Sequence, residues 1–318
     1  MTPEPSAAGA APPDDLVQPF QIEQPSLRGR LVRLGAVVDE VLSRHDYPEP
    51  VARMLGETLV LAAALAKALK YDGVFTLQTN GDGPITLMVA DVTSAGEVRG
   101  YAQYDGERLA AACRAPGDGA SAGSVPRLLG AGFLGLTVDQ GADTDRYQGV
   151  VELSGQSLAD CAHQYFRQSE QVEAAIKLAV GRVPAASGGA AWRAGALMIQ
   201  RLPPKPGEGL VSDAAEDDWR RALILMGGST SQELLDPELA PDVLLYRLFH
   251  EDGVRVYRQR PLKVGCRCSR ARAVHLLEAM PRAEVEDMKV EGKVIVTCEF
   301  CNTSFTFDEA ELAAIYEA

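Results

Sequence analysis

Four cysteines near the end of the chain constrain its fold more than any other feature. They stand as two close pairs, Cys266-Arg267-Cys268 and Cys298-Glu299-Phe300-Cys301, with 29 residues between the pairs. Two local pairs that a hairpin or a helix-turn brings together are the usual way in which a small domain builds a tetrahedral zinc site. The spacing therefore predicts that these four thiolates bind one metal ion, with permanent disulfides or chance pairs as the alternatives.

The first residues of the chain bear on where such thiols would be found. The stretch MTPEPSAAGAAPPDD has neither a basic region nor an apolar region of the kind that a secretory signal needs. The sequence also lacks a run of about 18 apolar residues, so we expect no membrane span. We therefore expect a cytoplasmic protein, in which cysteines stay reduced and more often bind metal or react with oxidants than form permanent disulfides.

Charge limits the partners of the chain. Its 318 residues carry a formal net charge of -13, which opposes general nucleic-acid binding because phosphate must be neutralised by a basic surface. Seven cations and no acid lie between Arg255 and Arg272, next to the first cysteine pair. This basic run is either a solvated surface, a contact for a polyanion or a field that favours thiolate.

The order of patterns along the chain predicts an α+β protein with four regions. We expect a disordered tail over residues 1–20 and an N-terminal mixed α/β core domain over 21–183. A metastable linker, Gly/Pro-rich and then helical, is expected over 184–252, and a C-terminal zinc-binding redox-switch domain over 253–318. The last region has so few core positions that a metal is the natural means of stabilising it.

The core domain is predicted from hydrophobic periodicity. A helix is expected over residues 50–70, where apolar residues recur at helical spacing, and another from Ser157 to about Ser169. Residues 114–126 have the composition of an exposed loop. Strands are expected at Leu27–Leu34, Gly73–Thr79, Ile85–Val92, Val98–Tyr104, Gly132–Val138 and Tyr147–Leu153.

The predicted linker combines apolar content with helix breakers. Residues 184–191 and 203–209 are rich in Gly, Ala and Pro, and Ala196–Leu202 between them could form one more strand. Beyond them, the Thr230-x-x-Glu233 pattern is typical of a helix capping box, and large apolar residues are dense up to Phe249. Because little in this stretch would make it fold alone, we expect it to take its stability from the surface on which it packs.

The thiols admit two interpretations. Coordination keeps sulfur in the reactive thiolate form, and oxidation would pair neighbours most readily, Cys266 with Cys268 and Cys298 with Cys301, because these loops are short. Paired sulfurs no longer hold the metal, and its contribution to folding is then lost. The site is therefore either such a switch or a permanently loaded structural zinc ribbon, and spacing alone favours the ribbon.

Several motifs together resemble the redox-regulated 33 kDa heat-shock chaperone family, also called the 33 kDa chaperonin. They are CxC and CxxC at this separation, LLYRLFHEDGVRVY just upstream, CSRAR, NGDGPITLMV, RYQGVVEL with YFRQSEQ, and FTFDEAEL near the end. The resemblance covers about residues 26–316. It implies that the reduced protein holds one Zn²⁺ through the four cysteines and is inactive. It also implies that oxidation forms the two neighbouring disulfides, expels zinc, unfolds the linker and activates an ATP-independent holdase that dimerises.

The sequence and the resemblance together predict a stress-response chaperone that binds unfolding proteins and is not an enzyme. Its partners would be partly unfolded clients and a second copy of itself when oxidised, with no role for nucleic acid or membrane. We expect clients to bind the apolar surface that is exposed around residues 185–250 and on the part of the core that this segment covers. The alternatives are a nucleic-acid-binding zinc ribbon that uses the 255–272 basic run, and a thiol-disulfide oxidoreductase that uses Cys298 and Cys301.

Overall fold

The computed structural model describes the chain from Asp14 to Glu317 with several gaps, and it divides the chain between Val264 and Gly265 into two compact units. The described residues are 14–23, 27–66, 72–114, 123–141, 144, 146–185, 188–201 and 213–317. Most of the expected tail, the greater part of the expected 114–126 loop and the 203–209 breaker lie outside them. Within the described ranges no helix is both long and apolar enough to traverse a bilayer.

The first unit mixes helices and strands along its length. In chain order its elements are β1 (Leu16–Ile22), β2 (Leu27–Leu34), α1 (Ala36–Ser43), α2 (Glu49–Ala66), β3 (Val74–Gly81), β4 (Ile85–Thr93), β5 (Glu97–Tyr104), α3 (Gly106–Arg114), α4 (Val125–Leu128), β6 (Gly132–Asp139), β7 (Tyr147–Glu152), α5 (Leu158–Tyr165), a π-helical turn (Phe166–Glu170), β8 (Ala174–Pro184), β9 (Ala190–Arg201), α6 (Asp213–Gly228), α7 (Ser231–Leu235), α8 (Pro241–Phe249), β10 (Val254–Val256), β11 (Arg260–Pro261) and β12 (Lys263–Val264).

These strands form two sheets, with α2 packed between them. In the first sheet the order is β10-β1-β2-β9-β8, with β11 also paired to β1, and in the second it is β12-β5-β4-β3-β6-β7. The helix α2 contacts strands of both sheets, and its residues are buried on nearly every side. A helix that is apolar all round is stable only inside a protein, which explains why the 50–70 pattern is so continuous.

The helices α6, α7 and α8, which we call the linker helices, pack on the other face of the first sheet. There a second apolar cluster joins sheet residues to linker residues. Phe20 of β1 stacks on Phe249 of α8 with ring centroids 5.8 Å apart. The linker helices are thus the outer layer of the first unit, and their stability comes from this sheet, as the sequence predicts.

The chain between the linker helices and the first cysteine pair contacts both sheets. We call residues 254–264 the bridge segment. Its strands β10 and β11 pair antiparallel with β1 of the first sheet, and β12 pairs parallel with β5 of the second. These strands are part of the first unit, although residues 253–318 were expected to form the C-terminal domain.

Two expectations are wrong at the level of elements. Residues 16–20, expected in the disordered tail, begin β1, because their apolar side chains pair in register with β2 and face the core. The Gly/Ala-rich residues 184–191, expected to open the linker, include the turn of a long β8–β9 hairpin. Strand β9 lies inside the first sheet, because β8 pairs with one of its edges and all of β2 pairs with the other.

The second unit is smaller and is described by itself. Its elements are α9 (Arg270–Glu278), α10 (Arg282–Asp287), β13 (Val294–Thr297), β14 (Ser304–Phe307) and α11 (Glu309–Glu317). Strands β13 and β14 form an antiparallel hairpin, and Asp308 and Glu311 cap the final helix reciprocally. We call Gly265–Ala318 the thiol module.

Candidate metal centre

The tip of the β13–β14 hairpin holds the second cysteine pair. The Cys298 amide donates to the Thr303 carbonyl at 2.9 Å, and the Asn302 amide donates back to the Cys298 carbonyl at 2.8 Å. Asn302 adopts a left-handed conformation with φ of 58°, which asparagine tolerates better than most residues. This tight turn brings Cys298 and Cys301 to the same side of the hairpin.

The first cysteine pair precedes helix α9. Ser269 caps this helix, with its hydroxyl accepting from the Arg272 amide at 3.2 Å. The Arg272 guanidinium donates to the carbonyl of Arg267, the residue between the two cysteines, at 2.7 Å. A helix cap and one arginine thus fix the conformation of the short loop that holds Cys266 and Cys268.

The four sulfur atoms lie within 4.8 Å of one another. Cys266 Sγ is 3.7 Å from Cys298 Sγ, and Cys268 Sγ is 3.3 Å from Cys301 Sγ. Four zinc–sulfur bonds of about 2.3 Å at tetrahedral angles require sulfur–sulfur edges of about 3.8 Å. The four sulfurs therefore fit a thiolate-bound ion of this size, and the ends of the hairpin and the α9 loop would hold it.

Crowding makes the four thiols unequal. Desolvation raises the pKa of Cys268 and of Cys298. Desolvation acts in the same direction on Cys301, but hydrogen bonds to the side chain and backbone of Thr303 and to the neighbouring thiols lower its pKa to about 6. A divalent cation binds thiols in their deprotonated form, so metal binding at such a cluster releases protons.

The thiol module has a small core of its own. Its fully buried apolar cluster among the described residues is Ala273, Leu277, Val285, Val294, Phe307 and Leu312. So few buried side chains supply little stability to a unit of this length, which is why small domains of this kind usually depend on a metal or disulfides. The geometry agrees with the sequence argument that a bound ion would stabilise the fold.

Ion pairs occupy part of the basic run. Arg270 pairs with Glu311 at 2.6 Å and also lies over the Phe307 ring, 4.3 Å from its centroid. In the first unit, Arg255 pairs with Glu23 and Lys263 with Glu97. The run is therefore a set of separate contacts rather than one free basic surface, which weakens the interpretation as a polyanion site.

The cysteines outside the two pairs lie elsewhere. Cys161 is fully buried in α5, where its thiol donates to the Ser154 carbonyl at 3.1 Å, so it is the small buried hydrophobe that the sequence predicts. Cys113 is exposed on α3. His275 pairs with Glu278, and among the described residues the four-cysteine group is the one that could hold a metal.

The Cys298–Cys301 pair sits in a β-hairpin turn. Thiol-disulfide oxidoreductases of the thioredoxin type place their CxxC at the start of a long helix, where the helix dipole stabilises the thiolate. Here strands precede and follow the pair. The local structure therefore supports a metal knuckle rather than a helix-activated redox pair.

Sequence reasoning missed a set of cations beneath the linker helices. Arg33, Lys177 and Arg193 lie on the first sheet and donate to backbone carbonyls of the linker helices. Arg33 could have been suspected, because it follows Leu27 and Leu31 at the two-residue spacing of one strand face. Its carbonyl partners lie about 200 residues away in the sequence, so no local sequence pattern predicts these contacts.

Comparisons with known proteins agree with this arrangement. The family model described as Hsp33 protein matches residues 15–308. The chain is 44% identical over 296 residues to the 33 kDa chaperonin of Caulobacter vibrioides (strain NA1000 / CB15N), covering 93% of this chain and 95% of that protein. It is 36% identical over 309 residues to the 33 kDa chaperonin of Ectopseudomonas mendocina (strain ymp), with 95% of each chain covered.

A solved structure shares the fold over nearly the whole length. It is the crystal structure of the 33 kDa chaperonin (heat shock protein 33 homolog) from Thermotoga maritima, with a TM-score of 0.76 and 27% sequence identity. The match covers 95% of this chain and 98% of that one. Together with the family match, this similarity identifies the protein as a member of the Hsp33 family.

Proposed function

We propose that this protein is a redox-regulated, ATP-independent chaperone whose linker helices cover its client-binding surface until the four thiols are oxidised. The observation that carries this proposal is the apolar cluster between the first sheet and the linker helices. A layer that is attached to the thiol module by one continuous segment is suited to release by changes in that module. Binding of clients needs exposed apolar area, and no catalytic step is part of the proposal.

The domain boundaries follow from the same idea. The core would comprise the two sheets with α1 to α5, and thus extend through β9 to Arg201. The linker helices over residues 213–249 would be the releasable layer, and the bridge segment would join them to the thiol module. This proposed core ends later than a linker that begins at residue 184, and the pairing of β8 with β9 supports the later boundary.

In the reduced state Cys266, Cys268, Cys298 and Cys301 would hold one Zn²⁺. The β13–β14 hairpin and the loop before α9 would be held together through these four thiolates, and metal binding there would contribute on the order of 10 kcal/mol to folding of the module. Zinc is proposed because four thiolates are the ligand set that it prefers in structural sites.

Oxidation would proceed by thiolate chemistry. For each disulfide, one thiolate attacks peroxide to give a sulfenic acid, and hydroxide leaves. The neighbouring thiolate then attacks that sulfur and releases a second hydroxide, so one peroxide is reduced for each disulfide formed. We propose the pairs Cys266–Cys268 and Cys298–Cys301, because the intervening loops are shortest. Sulfurs paired in this way no longer coordinate the ion.

Loss of the ligands would leave the module with its small core alone. We propose that the module then unfolds, that the linker helices leave the first sheet, and that the uncovered apolar side chains bind partly unfolded clients. Two copies that expose this surface would also associate, so we propose a homodimer in the oxidised form. We also propose a cytoplasmic location, where thiols are kept reduced until stress.

The experiment treats the purified full-length protein with peroxide at raised temperature. Zinc release, suppression of aggregation of a chemically unfolded client and sedimentation are followed in the same sample. We expect zinc loss and suppression to rise together. Zinc retained, or lost without suppression, would contradict the proposal.

Serine variants test which thiols are responsible. Cys298→Ser should lower zinc binding and, at raised temperature, expose the 213–249 segment to protease in reducing buffer, because three thiolates hold zinc more weakly than four. Cys113→Ser is the matched control, since Cys113 is exposed and distant in sequence from both pairs. If Cys298→Ser leaves protease resistance at the wild-type level, coupling between the module and the linker helices is refuted.

A further inference from the structure

Several cations lie under the linker helices, on a largely apolar face of the first sheet. The side chain of Arg193 is 13% exposed, and Arg33 as a whole is 1% exposed. Lys177 is half-buried on β8. Each points to the face that also carries Leu31 and Leu197 of the second apolar cluster. A charge in such a place is costly unless it is hydrogen-bonded, so the partners of these groups are informative.

Arg33 contacts backbone carbonyls at the end of α7. Its guanidinium donates to the carbonyls of Asp236 at 2.7 Å, Leu239 at 2.5 Å and Glu233 at 3.0 Å. The last carbonyls of a helix have no partner inside the helix and carry partial negative charge. A cation at this position therefore satisfies groups that an apolar sheet would leave unpaired.

Arg193 and Lys177 also donate hydrogen bonds to backbone carbonyls at helix ends. Arg193 Nε donates to the Leu235 carbonyl at 2.7 Å. Lys177 Nζ donates to the carbonyl of Gly227, at the end of α6, at 3.0 Å and to that of Ser229. Side chains of the sheet thus contact the ends of both helices, and at α6 they add to the Ser229 hydroxyl, which donates to the Met226 carbonyl at 2.7 Å.

A glycine lets the helix backbone approach between these cations. Gly195 of β9 pairs with Arg33 across the sheet, and a Cβ added to it would lie 2.7 Å from the Leu234 carbonyl oxygen. Any larger residue at Gly195 would push α7 away from the sheet. Gly195 therefore leaves space for the backbone of α7 to approach this face of the sheet, next to the cationic side chains.

We propose that Arg33, Lys177 and Arg193 form a carbonyl-recognition site on the first sheet, which binds apolar helical segments of clients by the carbonyl groups at their helix ends. This inference rests on the proposed function, in which the linker helices leave the sheet. The linker helices are then the internal occupant of a site that clients take over. Arg193 already pairs with Asp14 at 2.5 Å through another nitrogen, so its Nε, which donates to the Leu235 carbonyl in this structure, suits a neutral carbonyl rather than an acidic peptide.

The test uses two fluorescent peptides that copy residues 213–250. One has all L-residues, and the other has D-residues at Ile224, Gln232 and Tyr246, which are exposed in the folded chain. The two have the same composition, but D-residues disfavour the right-handed helix. Binding of each to the oxidised full-length protein is measured by fluorescence anisotropy. We expect the L-peptide to bind at least tenfold more tightly, and a preference below threefold would overturn the proposal.

Variants then assign the preference to the cations. Arg33→Met and Lys177→Met should each weaken binding of the L-peptide about tenfold, because a hydrogen bond to a charged group contributes about that much to affinity. Each variant should weaken binding of the D-peptide less than about twofold. Arg146→Met is the control, because that arginine is exposed and pairs with Asp139 elsewhere. Equal weakening of both peptides, or no weakening, would overturn the proposal. If oxidised wild type suppresses client aggregation but shows neither the peptide preference nor the effects of the variants, the proposed function is still supported and only the carbonyl-recognition site is refuted.

Discussion

Glu57 is a carboxylic acid on α2, the helix between the two sheets. Burial raises its pKa from 4.5 to about 7, and Arg53 nearby opposes this only in part. Between those two pH values the folded protein binds a proton at Glu57 that the unfolded chain has lost. Stability from this group is therefore greatest at low pH and falls as pH rises towards 7, by at most about 1.4 kcal/mol for each pH unit.

The variant Glu57→Gln should remove this dependence. Because glutamine carries no charge to desolvate, the variant should be more stable than wild type at pH 8, and the difference should shrink as pH falls to 5. The measurement is urea unfolding of the reduced full-length protein over this range. Other carboxylates titrate equally in both proteins, so the difference between the two curves isolates Glu57. Parallel curves would show that Glu57 is not desolvated in the fold.

Among the elements, α8 tests how the linker helices are held. Leu245 is fully buried against the first sheet, whereas the next residue, Tyr246, is 63% exposed. Leu245→Ala should cost about 2–5 kcal/mol, since it removes buried methyl groups and leaves a cavity. In reducing buffer we expect faster protease cleavage within residues 213–249 and stronger binding of a hydrophobic dye.

Tyr246→Ala is the matched control on the same turn of helix. Because its side chain faces solvent, this variant should resemble wild type in both assays. If the two variants behave alike, the linker helices are not held by the apolar face that contacts the sheet, and the proposed covering layer loses its basis.

The elements that sequence predicted and those it missed differ in their surroundings. Strands β3, β5 and β7 show why much of the second sheet was predicted: one of its faces is less buried, so buried and less buried residues alternate along them. Strand β8, with the sequence AAIKLAVGRVP, was missed because α2 and the linker helices cover its two faces and remove that alternation. Strands β11 and β12 have two residues each and exist only through distant pairing partners.

The functional residues also differ in whether the sequence could predict them. The four thiols were predicted because their ligand spacing is local, and the structure brings their sulfurs together. The carbonyl contacts of Arg33, Lys177 and Arg193 could not be predicted, since each depends on how a helix lies over a sheet. Local chemistry is readable from sequence, whereas a contact between distant elements needs the fold.

At the scale of the whole molecule, the bridge segment decides how oxidation reaches the linker helices. It is the covalent connection between α8 and Cys266, and it is also fastened to both sheets. The Leu262 amide donates to the Asp15 carbonyl at 2.7 Å, and the Lys263 amide donates to the Gly96 carbonyl at 2.9 Å. These contacts resist the spread of unfolding, so the release of the linker helices should require more than loss of the metal.

Leu262 is the residue on which this resistance depends most, because it is 5% exposed and packs in the core between the sheets. Leu262→Ala should leave zinc binding unchanged, since the residue lies outside the thiol module. After oxidation, however, the linker helices of the variant should leave the first sheet at a lower temperature than those of wild type. Hydrogen exchange of residues 213–249, measured by mass spectrometry across a temperature series, gives this release temperature.

The neighbouring exposed residue provides the control for that experiment. Pro261→Ala changes the same bridge segment without removing a buried side chain, so its release temperature should match wild type. If Leu262→Ala also matches wild type, the bridge segment does not limit the spread of unfolding. Release would then follow directly from loss of the module, and peroxide alone would suffice without heat. A lower temperature in Leu262→Ala would instead mean that the protein needs oxidation and thermal unfolding together before it exposes its client-binding surface.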